Sequence, residues 1–162
     1  MIQCNLFNVK KPYQYIGKEY LSYNKDFDKA NVKLALAFPD KYEIAISNLG
    51  QKILYDIVNS DERFLADRIY APDFDYRNIL LEKNIPLYGL ESKKEATNFD
   101  IIGFSLQYEL AYPTILEMLK LSHIPVLRKE RDENSPIISK FFASFLLSNP
   151  YNGLFFSNNI FL

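Results

Sequence analysis

Apolar residues along this chain fall into two spacings, and the way the spacings alternate lays out the elements. VKLALAF, Val32 to Phe38, is a short continuous apolar run stopped by Pro39, and its length and flanks predict a buried strand. A polar loop through Asp40 to Ile46 follows. In SNLGQKILYDIVNS, Leu49, Ile53, Leu54, Ile57 and Val58 recur at helical spacing, with Ser47 as the predicted N-cap. The order then repeats. RIYA, Arg68 to Ala71, reads as a second strand closed by Pro72, and FDYRNILLEKN, Phe74 to Asn84, as a helix ended by Asn84 and Pro86. PLYGLES predicts a shorter edge strand. IIGFSLQ, Ile101 to Gln107, is the most strand-like segment, and it leads into YELAYPTILEMLKLSHI, where Ile115, Leu116, Leu119 and Ile124 share one helical face and Pro113 fits the first turn.

Strands alternating with helices predict an α/β fold, a doubly wound and mostly parallel sheet with helices on both faces, flavodoxin-like in class. Ligands of such sheets sit at the carboxyl ends of the strands. That rule selects two loops, Pro39 to Asn48 after the first strand and Ser105 to Pro113 after GFS. The candidate cleft is therefore Ser47, Asn48, Leu49 and Gly50 on one side, and Ser105, Leu106, Gln107 and Tyr108 on the other. The first set offers a hydroxyl, an amide and helix N-terminal N–H groups; a helix cap needs no function, and both readings stand for Ser47 and Asn48.

The ends differ from the middle. Residues 1–30 form an irregular leader rich in Tyr and Lys, and residues 31–135 form the α/β domain. From Pro136 the tail PIISKFFASFLLSNPYNGLFFSNNIFL carries one charged residue, Lys140, and the sheet is expected to be incomplete there. Such a tail either packs against something outside this chain or is foreign to the rest.

Composition narrows the function classes. The 19 basic and 20 acidic residues give a net charge of −1, which points to neither nucleic acid nor an anionic membrane. No secretory signal and no span-length apolar run is apparent, so a cytoplasmic location is expected. A single cysteine, Cys4, makes no internal disulfide and cannot by itself hold an iron–sulfur cluster. GxxxxGK[ST], GxGxxG and GxSxG are all missing. The sole histidine, His123, ends a predicted helix, a position that suits a surface residue better than a catalyst. A receiver-type phosphoacceptor site would use Asp40, but the central strand ends GFSLQ without the aspartate it needs.

KPYQYIGKEY, LALAFPDKYEIAISNLGQKILYDIVNS, RIYAP, PLYGLES and FDIIGFSLQYELAYPTILEMLKLSHIP, in that order, resemble the N-terminal region of a family of uncharacterised radical SAM proteins with a cobalamin-binding-like domain. The resemblance runs from Lys11 to Pro136. It implies a doubly wound domain that precedes a radical SAM barrel, where a CxxxCxxC motif holds the iron–sulfur cluster that cleaves S-adenosylmethionine. This chain has no such motif, so the expected partner is a barrel domain or chain and no catalysis is assigned to these residues. The resemblance also implies cobalamin as ligand of the cleft. Two features depart from it: AISNLGQ stands where cobalt-ligating relatives have DxHxxG, and IISKFFASFLLSNP stands where the family has a Gly-Gly-Pro turn. The chain accordingly reads as a truncated member whose last segment, 136–162, is not family sequence. A cofactor-free interaction or docking module for a separate radical SAM iron–sulfur chain is the alternative.

Overall fold

The computed structural model describes residues 6–141, and its four strands are β1 (Val32–Phe38), β2 (Phe64–Tyr70), β3 (Ile101–Ser105) and β4 (Ile137–Phe141). Period-2 alternation makes β1 two-faced, and both faces are apolar. Leu34 and Leu36, with Ala66 of β2, pack on Leu54 and Tyr55 of α2 (Leu49–Ser60). Ala35 and Ala37 turn the other way, into a larger core with Ile69, Ile102, Phe104 and Ile138. That second layer is closed by Tyr76 and Leu80 of α3 (Phe74–Glu82) and by Ile115, Met118 and Leu119 of α4 (Tyr112–Leu121). A strand covered on both faces reads as a continuous apolar run rather than an alternating one, which is why VKLALAF looks as it does.

All pairings are parallel, and the strand order is β2-β1-β3-β4. The sheet is an α/β doubly wound sheet. Its order reverses between β1 and β3, because the chain steps outward from β1 to β2 and then crosses back to β3. The loops leaving β1 and β3 therefore part at the sheet's carboxyl edge, the place where open α/β sheets leave a crevice.

Several boundaries differ from the sequence expectation, each for a local reason. β2 spans Phe64–Tyr70 rather than Arg68 to Ala71, because the charged pair Asp67-Arg68 sits inside the strand with its charges satisfied. PLYGLES makes no strand of the sheet: Tyr88 and Glu95 form an isolated antiparallel bridge around a tight turn in which the Gly89 N–H donates to the Lys94 carbonyl at 2.8 Å. β3 ends at Ser105, two residues before Gln107. The N-cap of α2 is Asn48, not Ser47. Residues Tyr42–Ala45 already form a short helix, α1, and Ser47 is still held in its last turn, its Oγ donating to the Ile44 carbonyl at 2.8 Å. The Asn48 side chain instead accepts from the Gln51 N–H at 2.9 Å. Pro113 lies in the first turn of α4, where it removes no hydrogen bond.

The leader is part of the same core. Leu6, Val9, Phe27 and Ala30 are buried in it, and the Tyr15 and Tyr76 rings meet at 4.1 Å. The first five residues after Pro136 form β4 beside β3. Cys4 and the rest of the tail, 142–162, lie outside the described residues.

β2 ends the sheet on one side, and its outer edge is closed by side chains and by a loop. The Asn59 amide both donates to and accepts from the Ala66 backbone, at 2.9 and 3.0 Å. Lys25 Nζ donates to the Phe64 carbonyl at 2.8 Å, and the Leu90 N–H donates to the Arg68 carbonyl at 2.8 Å. An edge capped in this way presents few free groups to another strand.

Candidate functional site

At the carboxyl edge the loops after β1 and β3 meet through one side-chain bond: the Tyr108 hydroxyl donates to Asp40 Oδ2 at 3.2 Å. The other Asp40 oxygen accepts from the Lys41 N–H at 2.8 Å, and the Asp40 carbonyl accepts from the Ala71 N–H at 3.1 Å. The β1 and β2 loops are thus braced together. Partial burial and then the Asp40 carboxylate raise the Tyr108 pKa, so the phenol stays a donor.

The eight predicted cleft residues divide by exposure. Ser105, the last residue of β3, and Leu106 just after it are buried and belong to the wall rather than to its surface. Asn48 and Gly50 are half-buried in the first turn of α2; Ser47, Leu49, Gln107 and Tyr108 are exposed. Among the described residues no hydrogen bond joins 47–50 to 105–108, and Tyr108 reaches Asp40 instead. A cavity of about 160 Å³ at this end lies between Pro39 to Lys41, Ala71 and Pro72, and Thr114, Glu117 and Met118 of α4; none of the eight lines it.

The same edge displays apolar side chains to solvent. Leu49 is 65% exposed and Leu110, in the turn after β3, 84%; Ile44 of α1 and Phe74 at the start of α3 are also exposed. The polar donors here are Gln107, the Tyr108 hydroxyl and the N–H groups of the first turn of α2, of which the Gln51 N–H is already taken by Asn48. Among the described residues no group of three His, Cys, Asp or Glu side chains converges as a metal site. His123 closes α4 with a positive φ of 58°, its N–H donating to the Lys120 carbonyl at 3.0 Å.

Sequence reasoning missed a dense polar constellation around β2. Asp67, 1% exposed, accepts from the N–H groups of Arg68, Glu91 and Ser92 and from the Ser92 hydroxyl, at 2.6 to 2.9 Å. Gly89 makes this approach feasible, since a Cβ there would stand 2.1 Å from Asp67 Oδ2. Beside it Arg68, 6% exposed, pairs with Glu19 of the leader at 2.6 Å and with Glu91. Its guanidinium also lies 4.8 Å from the Tyr55 ring. Burial alone would push the Arg68 pKa down; Tyr70, Glu19 and Glu91 outweigh it and the net direction is up. Tyr42 of α1 donates to the other Glu19 oxygen at 2.5 Å. Every carboxylate here has its donors, which leaves the cluster as a brace between the leader, α1, β2 and the 89–92 turn. The available signal was an Asp-Arg pair inside FLADRIYA, an apolar run that charges would not interrupt unless they were paired.

Among the described residues no helix is long and apolar enough to cross a membrane. No curated protein matches the chain, and no solved structure does. Residues 50–152, well over half of the sequence, match the family described as radical SAM proteins, N-terminal. The match takes in Gly50, β2 to β4 and the loop Ser105–Tyr108, and it leaves Ser47 to Leu49 and the leader outside. On that match the chain belongs to the radical SAM N-terminal family.

Proposed function

We propose that this chain serves as the non-catalytic N-terminal domain of a radical SAM protein and that the carboxyl edge of its sheet is the working surface, holding a flat ligand of the cobalamin class. The single observation behind the reading is the strand order, which parts the β1 and β3 loops at the one edge where exposed Leu49 and Tyr108 stand among polar donors. Leu49 and Tyr108 would pack on a ring face, while Gln107 and the first-turn N–H groups of Leu49 and Gly50 would serve its amide or phosphate groups. A corrin bound here would keep no protein imidazole on its cobalt, because no histidine lies in Asp40 to Gln51 or Ser105 to Pro113. The iron–sulfur and S-adenosylmethionine chemistry belongs to a radical SAM domain; one cysteine cannot supply a cluster's thiolates.

A second reading has its own observation. Leu110, Ile44 and Phe74 extend the apolar exposure around this end of the sheet, which suits a cofactor-free docking face for a separate radical SAM iron–sulfur chain. Mixing the purified protein with hydroxocobalamin, desalting it and recording the visible spectrum separates the two. Corrin absorbance that stays with the protein supports the ligand reading. Complete loss of it removes that reading and leaves docking, which co-purification of an iron–sulfur protein would then support.

A further inference from the structure

Where the leader meets α1, two neighbouring tyrosines each have a carboxylate beside the hydroxyl. Tyr13 of the leader, 53% exposed, and the half-buried Tyr42 of α1 meet edge to face with ring centroids 5.9 Å apart, and Tyr42 meets the buried Tyr70 in the same way at 5.7 Å. The Tyr42 hydroxyl donates to Glu19 at 2.5 Å, and the Tyr13 hydroxyl reaches Glu43 at 3.4 Å. Tyr70 differs: its oxygen accepts from the Arg68 guanidinium, a cation that opposes positive charge on the ring. Tyr15, Tyr76 and Tyr88 pack as closely, with centroids 4.1 and 6.4 Å apart, but there phenol is bonded to phenol, Tyr76 to Tyr88 at 2.7 Å. Packing accounts for that second stack. It does not call for a proton acceptor at each hydroxyl, which is what the Tyr42 and Tyr13 pair has.

We propose that Tyr42 and Tyr13 form a short relay that carries an oxidising equivalent from the half-buried seam to the surface, each phenol handing its proton to its own carboxylate. A phenol that loses an electron becomes a far stronger acid than a carboxylic acid, so a positioned carboxylate decides where the neutral radical forms. Burial and then the Glu19 carboxylate raise the Tyr42 pKa, so the ring starts with its proton in place. In the first step Tyr42 gives one electron to a one-electron oxidant of the metal-complex class and its hydroxyl proton to Glu19, leaving a neutral phenoxyl beside a glutamic acid. In the second, Tyr13 gives an electron to that phenoxyl and its own proton to Glu43, while Glu19 returns its proton to Tyr42. The oxidant is reduced by one electron and the phenoxyl ends on Tyr13. Glu43 is exposed there and sheds the proton to water, and dissolved reductants reach the ring. The bond between Tyr42 and Glu19 is restored, and the oxidation stays away from Tyr70 and the charges around Arg68.

Flash oxidation of the full chain by photogenerated ruthenium(III) tris(bipyridine) with a nitroso spin trap present, followed by peptide mass spectrometry, tests the relay. In the parent protein the trapped adduct is expected on Tyr13 and is scarce on Tyr42. Tyr13→Phe keeps the ring without a hydroxyl to oxidise and should raise the Tyr42 adduct severalfold. Tyr20→Phe removes a phenol that is 94% exposed and outside the pair, and should leave the Tyr42 adduct unchanged. Adding Glu19→Gln to Tyr13→Phe keeps an acceptor for the Tyr42 hydroxyl but no place for its proton, and should lower the Tyr42 adduct again. The proposal is overturned if Tyr42 is oxidised to the same extent with and without Tyr13, if Tyr20→Phe raises it as much as Tyr13→Phe does, or if Glu19→Gln, still folded by its thermal melt, changes nothing. Should that last variant fail to fold, the comparison of Tyr13→Phe with Tyr20→Phe decides alone.

Discussion

Two regions of this domain carry its polar and apolar surplus in opposite ways. Around β2 the molecule buries charge: Asp67 and Arg68 are withdrawn from water, Glu19 and Glu91 are half-buried beside them, and the four are hydrogen-bonded to one another or to backbone. At the carboxyl edge of β1 and β3 it exposes apolar side chains, Leu49, Tyr108 and Leu110 among them. Clustered, perturbed charges are the usual flag of a catalytic site. Here the cluster acts as a brace, because its carboxylates are hydrogen-bonded to backbone, to Ser92, to Tyr42 and to Arg68, even though Asp67, Glu91 and Ser92 also border an open cavity of about 290 Å³. The exposed rim has little to do for folding, and its apolar atoms are available for a ligand or a partner. The comparison predicts large stability effects with unchanged rim chemistry on one side, and the reverse on the other.

The largest effect belongs to Arg68→Ala. It removes the cation from Glu19 and Glu91 and leaves two carboxylates facing each other in a poorly solvated place, for which a loss of about 3–5 kcal/mol is expected. Urea unfolding of the variant against the parent measures it. A change below about 1 kcal/mol, in the range of surface ion pairs, would mean that the cluster is more solvated than its burial implies, and the contrast with the rim would collapse.

A smaller effect is expected at Asp73, which ties the two regions together. Its carboxylate caps α3 at the Phe74 N–H, 2.9 Å away, and pairs with Lys41 of the β1 loop at 2.8 Å. The bond to Lys41 and then the one to the Phe74 N–H lower its pKa. A folded pKa below the unfolded one means stability that is fully present above the unfolded value and fades as the pH falls through the folded value. Asp73→Ala should therefore cost about 1 kcal/mol near neutral pH, and the gap to the parent should shrink in acid. Thermal melts at neutral pH and below pH 3 check both parts; a gap that is the same at the two pH values would show that the charge contributes nothing there.

What was legible in the sequence follows the same division. Runs such as VKLALAF and IIGFS report burial directly, and from them and the helical spacing between them the doubly wound architecture could be read; the spacing of α2 marks its buried face only in part, since Leu54 is buried but Ile57 is exposed. Features made by distant groups could not. The first half of β2 was hidden because Asp67 and Arg68 look like surface residues until Ser92, Glu91 and Glu19 arrive from 23 to 49 residues away. The cap of α2 was misplaced by one residue because α1 was not foreseen, and Ser47 looks as good a cap as Asn48 until its hydroxyl is seen turned back to Ile44. At the candidate edge the two loops were identifiable from topology alone, but the pairing of Tyr108 with Asp40, rather than a cleft between 47–50 and 105–108, depends on how far each loop folds over the sheet.

The smallest stability effect is expected at the rim, and it is the sharpest test of the comparison. Leu49 and Leu110 have most of their surface in water, so replacing either by Ser removes little buried area and should move stability by no more than about 0.5 kcal/mol. Serine at position 49 follows the Asn48 cap and disturbs neither its bond to Gln51 nor the packing of Leu54 below it. The same double substitution, Leu49→Ser with Leu110→Ser, should abolish the rim's affinity for a flat ring system or an apolar partner face, because the contact area that would drive association is removed. Urea unfolding and retention of hydroxocobalamin after desalting, run side by side on this variant and on Arg68→Ala, read the two properties separately. If the rim variant unfolds as readily as Arg68→Ala, the exposed leucines are structural and the carboxyl edge loses its standing as the working surface; if it keeps its stability and loses its ligand or partner, the division between brace and rim holds.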